Sequence, residues 1–348
     1  MNKKYEFTSE TETFDGHVLH RIKRLSDGEL GGWIESENNL SHEGNCWVGG
    51  NACVYGDAEV GDDAKVHGNA KVHGNAEIYG DAQVYGNADI GEFANVYGHA
   101  IVADHACISG RAYVFEKAMI RDRAHVCDKA QIYGNARIKG DSLINKNAVV
   151  CGDTLVQDHA EISDSAVVKD RAVISGAGRV SGNATVCGFA TVGEDSGVGG
   201  HACVEGHAQI YGIATVQDYA HASDFARVYD YAKIRGDAHI HDNATAYEFA
   251  KIEGNADVGG HATVHGDAVI KDHAKVFGSS IICDDVVVKK HACVAGSVIV
   301  CGDAVVEKDT TALGYSKVGR SYETGIPAPI DDSDIENNTE NDKDFGGN

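Results

Sequence analysis

The sequence predicts an all-β chain wound as a parallel solenoid, and three observations carry that prediction. An aliphatic residue returns every sixth position, Ala sits two places ahead of it, and 42 Gly stand against two Pro, Pro327 and Pro329. From Val48 to Val306 there are 44 positions divisible by six, and 42 hold Val or Ile; Ala222 and Ala246 are the exceptions. The preceding site runs from Ala52 to Thr310 and holds Ala at 36 of its 44 positions, and no insertion shifts the phase. In A-x-V, residues i and i+2 of a short strand point the same way, here inward, and the residue between them faces solvent. Gly or Asp, then Asn, Asp or His, supplies a tight turn. Such a unit cannot bury its apolar edge alone, so it stacks on copies of itself. A helix is excluded, because period six does not match 3.6 and Gly would interrupt every second turn.

Residues 1–45 read as an N-terminal cap: a hairpin over 5–24 around Asp15-Gly16, then a first partial coil marked by the six-residue spacing of Ile34, Leu40 and Cys46. Exposed strand edges at a solenoid end need such covering. The repeat itself spans 46–310. Its beat decays in TALGYSKVGRSYETGI, which reads as a closing cap over 311–326. Residues 327–348 are acidic, Asn-rich and poor in apolar residues, so disorder is expected there.

The hexad pattern resembles the hexapeptide-repeat proteins. That resemblance implies a left-handed parallel β-helix with three hexads per triangular coil, hence about 15 coils here. The segment GGWIESENNLSHEGNCWVGGNACVYG (31–56) is similar to the start of bacterial YdcK-type proteins and of phage-encoded repeat proteins. Those carry an acyltransferase-like description that rests on fold, which is not a site.

A net charge of −23 excludes function classes that need clustered positive charge, such as nucleic-acid or anionic-membrane binding. Ten Cys without a CxxC pair suggest a reducing cytoplasm. The N-terminus lacks the apolar core of a signal peptide, and no run is long enough for a membrane span.

With three hexads per coil, residues 18 apart stack in columns, and the outward columns give the candidate sites. Cys203, His221, His239 and Asp257 share one column, with His241 in the column beside it. Imidazoles about 5 Å apart, with a thiolate or carboxylate, suit Zn²⁺, and trimeric relatives of this fold hold metal with His ligands between subunits. Tyr211, Tyr229 and Tyr247 stack beside a corner column of Ile213, Tyr231 and Phe249, an apolar and aromatic patch suited to a partner. A second ladder, Tyr79, Tyr97, Phe115 and Tyr133, lacks the apolar corner and reads as structural. Val269, Val287 and Val305 form one outward column and Ile281 and Ile299 another, an oligomer face because exposed β-branched columns invite cover. Arg111, Lys117, Arg123 and Lys129 take successive corners, with Arg121, Arg137 and Lys139 near them, but Glu116, Asp122 and Asp128 interleave this belt. Cys283 and Cys301 share a column and are expected as free thiols.

The leading functional expectation is a rigid non-catalytic scaffold or binding protein acting through lateral contacts, with a protein partner or self-association, including a homotrimer, and no cofactor. The first alternative is an acyl-CoA-dependent acyltransferase, for which His99, His105, His159, His201, His207, His261, His273 and His291 offer bases. Each of these occupies a turn position where its neighbours have Asn or Asp, and the unbroken beat leaves no loop to close over a substrate. The second alternative is a metal-binding β-helix with the His site between subunits.

Overall fold

The alternation of inward and outward residues sets the path of the chain. A computed structural model describes residues 3–307, together with the strands Thr311–Ala312 and Lys317–Val318. The remainder of the expected cap at 311–326, and the expected tail at 327–348, lie outside the described residues. Each hexad contributes a two-residue strand, Trp47–Val48 being the first, and strands 18 residues apart pair in parallel, as Trp47 does with Lys65. The result is the all-β parallel solenoid that the periodicity predicts, about 15 coils of three strands. Within each unit backbone bonds run from coil to coil, for example Cys53 N to Ala70 O at 2.9 Å and Tyr55 N to Val72 O at 3.0 Å.

The interior is what the sixfold count requires: Val84, Ile90, Val204 and Ile240, with Ala82, Ala88, Ala202 and Ala238, are at most 1% exposed. Each Val or Ile removed from water contributes roughly 1.5–3 kcal/mol. Where Ser replaces Ala, its hydroxyl donates to the carbonyl three residues back: Ser142 to Lys139 at 3.0 Å, Ser280 to Phe277 at 2.7 Å. Nothing in the structure explains Ala222 and Ala246.

Among the described residues the turns hold a residue at positive φ in every hexad. Gly takes this place often, but Asp62 (52°), Glu92 (58°), Asp218 (63°) and Lys290 (62°) do so too. The acids do more than tolerate the conformation. Asp218 accepts the backbone N–H of Gly236, one coil on, at 3.0 Å; Glu92 accepts that of Gly110 at 2.8 Å, and Asp242 that of Gly260 at 2.8 Å. Much of the chain's negative charge therefore sits where it satisfies turn amides that the strand ladders leave over.

The chain divides into two compact units, residues 1–176 and 177–348. The first unit opens with β1 (Tyr5–Phe14) and β2 (His17–Arg24), an antiparallel hairpin whose turn residues Asp15 and Gly16 both have positive φ. β3 (Leu30–Ile34) pairs antiparallel with β2 and parallel with Cys53–Val54, so it converts hairpin into coil. A Cβ on Gly32 would lie 2.5 Å from the Ala52 carbonyl oxygen, so only Gly admits this approach. Asn39 is fully buried and donates to the carbonyls of Gly56 and Ala58 at 2.9 and 2.8 Å, satisfying backbone groups at the start of the coils. The second unit consists of three-stranded coils from Arg179–Val180 onward, and its three faces are named below by their first strands at Arg179, Thr185 and Thr191. No helix among the described residues is long and apolar enough to cross a membrane.

Candidate functional site

On the Thr185 face of the second unit, Cys203 pairs with His221, His221 with His239, and His239 with Asp257, each 18 residues on. The His221 and His239 rings stack 4.6 Å apart and 4° from parallel. Stacked rings aim their nitrogens the same way, so each engages its own diagonal neighbour 16 residues earlier. His221 Nε2 lies 3.1 Å from Glu205 Oε1, His239 Nε2 3.1 Å from Ser223 Oγ, and Asp257 Oδ1 3.0 Å from His241 Nε2. His241 Nδ1 is 3.1 Å from Asp242 Oδ2, so both of its ring nitrogens face carboxylates. Burial pushes the His239 imidazole below its ordinary pKa, and His221 and His241 push it the same way.

The five metal candidates of this face therefore fall into two groups. Ligand atoms of His239, His241 and Asp257 come within 4.8 Å of one another, whereas those of Cys203 do so with Cys187 and Glu205. His221 links the groups, stacked on His239 and bonded to Glu205. Column stacking named Cys203 but missed Cys187 as its neighbour, because the pair is diagonal and 16 residues apart.

The Thr191 face carries the aromatic column. Tyr229 and Tyr247 stack at 5.1 Å, and His265 extends the column 4.8 Å beyond Tyr247. Tyr211 lines a shallow groove with Tyr229, Gln209 and Arg227. At the adjoining corner Tyr231 stacks on Phe249 at 5.0 Å, and Ile213, Tyr231 and Phe249 are 49%, 48% and 52% exposed. Sequence reasoning missed the other corners of the same unit. His207 is sandwiched between Phe189 and Phe225 at 4.7 and 4.9 Å, and His201 stacks on Tyr219 at 4.8 Å. The same spacing of 18, applied to turn positions, would have found them.

Val269, Val287 and Val305 stand in register on the Arg179 face, and Ile281 and Ile299 on the Thr191 face, so the oligomer-face candidates occupy two sheets. Val305 is exposed and the other four are half-buried.

Residues 130–146 match the model of the YdcK β-solenoid repeat. The matched stretch holds the strands Gln131–Ile132, Arg137–Ile138 and Leu143–Ile144, one coil of the solenoid. The chain is a repeat β-helix protein. No curated protein matches it. A one-coil match describes how a β-helix repeats and assigns no activity.

Elsewhere on the β-helix, the basic belt is partly neutralised. Arg123 Nε is 2.8 Å from Asp141, and Arg111 lies 5.4 Å over the Phe93 ring. The interleaved Glu116, Asp122 and Asp128 accept backbone N–H groups of Gly134, Gly140 and Lys146. Corner histidines make local contacts: His273 stacks on His291 at 5.1 Å, and His99 and His159 approach Asp81 and Asp141 at 3.2 and 3.5 Å. In the structural ladder, Phe115 lies between Tyr97 and Tyr133 at 5.0 and 4.9 Å, while Tyr79 donates to Glu59. No disulfide joins Cys283 and Cys301.

Proposed function

We propose that this β-helix is a non-catalytic scaffold that works by lateral association, and that the surface around Tyr229, Tyr231, Tyr247 and Phe249 seats a second copy of the chain. The observation that carries the reading is the half exposure of Ile213, Tyr231 and Phe249 at one corner, beside an aromatic column on the adjoining face. Large apolar groups held in water at successive coils are disfavoured unless something covers them. The rings repeat at 5.0–5.1 Å, close to the ~4.8 Å separation of hydrogen-bonded strands. A surface with that period is complementary to another of the same period, and a second copy supplies one without further adaptation. Cyclic symmetry keeps the two periods in step. Covering the remaining exposed area of Ile213, Tyr229, Tyr231, Tyr247 and Phe249 would remove roughly 400 Å² per partner. That is about half of the ~800 Å² of a standard interface. The half-buried Tyr211, in the same column as Tyr229, extends the patch.

The test is Tyr231→Ala with Phe249→Ala, which removes exposed rings and leaves the buried Ala and aliphatic columns intact. Sedimentation velocity should show the associated species of the wild type converted to monomer at equal concentration. An associated species unchanged by the double substitution would remove this surface as the contact.

A further inference from the structure

The geometry points to a divalent metal site of the zinc class on the Thr185 face, formed by Cys187, Cys203 and Glu205, with His221 orienting the carboxylate. It lies on a different face from the aromatic column and does not depend on lateral association.

The site follows from the repeat. Cys187 and Glu205 directly follow the inward residues Val186 and Val204 in consecutive coils, so they stand in one column; Cys203 directly precedes Val204 and reaches diagonally toward Cys187. Cys187 Sγ is 3.9 Å from Glu205 Oε2, and the ligand atoms of all three residues lie within 4.8 Å of one another. Tetrahedral zinc, with bonds of about 2.3 Å to sulfur and about 2.0 Å to oxygen, places its S···O ligand pairs roughly 3.5 Å apart and its S···S pairs roughly 3.8 Å apart. Side-chain movements of about 1 Å or less would thus close the cage. Two thiolates with a carboxylate form a donor set that favours zinc over calcium or magnesium.

His221 supplies the outer support. It approaches the second carboxylate oxygen, Glu205 Oε1, at 3.1 Å, and its ring is held by stacking on His239. A ligating carboxylate is commonly fixed by such a partner. Glu205 is about half exposed, so the fourth position opens to solvent.

The neighbouring group of His239, His241 and Asp257 is less suited. Both nitrogens of His241 already face carboxylates, at 3.0 and 3.1 Å, and His239 Nε2 faces Ser223 Oγ. A metal there would displace these bonds, whereas at the cysteine site it would take the place of the Cys187 thiol proton directed at Glu205. At the cysteine site, binding M²⁺ releases the two thiol protons. Affinity therefore falls as pH falls.

The test uses the full chain, purified under a non-chelating reductant and titrated with Zn²⁺ against a chromophoric chelator, then with Co²⁺. Zinc should bind, and Co²⁺ should show thiolate-to-cobalt charge-transfer absorption. Cys187→Ser and Cys203→Ser should each remove one equivalent and that absorption. His221→Gln should weaken binding by about 10–100-fold at unchanged stoichiometry. His241→Ala should leave binding as it was. Absence of bound zinc would overturn the proposal. So would an equivalent that survives Cys187→Ser and is lost in His241→Ala, or thiolate absorption that disappears only in Cys283→Ser. Should the Ser variants fail to fold, Co²⁺ bound to the wild type without thiolate absorption would overturn it equally.

Discussion

At the scale of single residues, the turn acids do two jobs that the sequence displays as one. Asp218 sits at a φ of 63° and accepts the Gly236 N–H. A residue other than Gly, Asn or Asp in this conformation costs roughly 1–2 kcal/mol. An exposed hydrogen bond contributes about 1 kcal/mol. Asp218→Asn keeps an acceptor and tolerates the conformation, so it should change stability least; Asp218→Gly should cost about 1 kcal/mol, and Asp218→Ala about 2. Urea unfolding of the three variants checks the order, and equal losses would contradict it. His239 gives a pH dependence. Its folded pKa is lowered, by burial first and then by His221 and His241, while Asp257 and Asp224 oppose. The unfolded chain therefore binds this proton more readily, so the residue's contribution weakens as pH falls below the ordinary histidine value near 6.5. In an NMR titration His239 should ionise below an unstructured histidine, and His241→Asn should raise its pKa. A value at or above the ordinary one would contradict this account. The second role of the turn acids was hidden in the sequence: Asp in a turn reads as tolerance of positive φ, and the bond it makes goes to a residue 18 positions away.

At the scale of elements, the hexad phase decided inside from outside at nearly every position, because inward residues depend only on the alternation along one strand. The columns were legible for the same reason, which is why Tyr229 over Tyr247 and His221 over His239 could be placed. The diagonals were not. Whether His221 meets Cys203 or Glu205 depends on how side chains lean across the pleat, and spacing alone does not state this. The same i,i+16 contact recurs at His73 with Asp89, 2.9 Å, and at Ser109 with His125, 3.4 Å, so it belongs to the repeat rather than to one site. The junction of β3 with the first coil is a further close fit. Gly32→Ala brings a methyl against the Ala52 carbonyl and Val48, and should destabilise the N-terminal unit by about 1–3 kcal/mol. Hydrogen exchange should then quicken over β1 to β3 while the coils from Arg179 onward keep their protection. Unchanged exchange would mean that the junction relaxes without loss.

At the scale of the whole molecule, architecture is written in the sequence far more plainly than use. A regular coil needs only small, aliphatic and turn residues in order, and these fill the repeat, leaving two or three outward positions per hexad to carry any specific chemistry. The family match spans a single coil, 130–146, and describes that regularity. The second unit concentrates such outward residues: aromatic corners at Phe189, Tyr219, Phe225, Tyr231 and Phe249, and the cysteine and histidine ladder of the Thr185 face. The net charge of −23 sets a condition on association, since two copies repel at long range. Contact through the aromatic corner should therefore strengthen with added salt. The most direct measurement is the mass of the purified full chain by light scattering coupled to size exclusion, at low and at moderate ionic strength. A discrete multiple of 36.8 kDa, more populated at the higher salt, is expected. A particle of 36.8 kDa at every concentration and salt would contradict it.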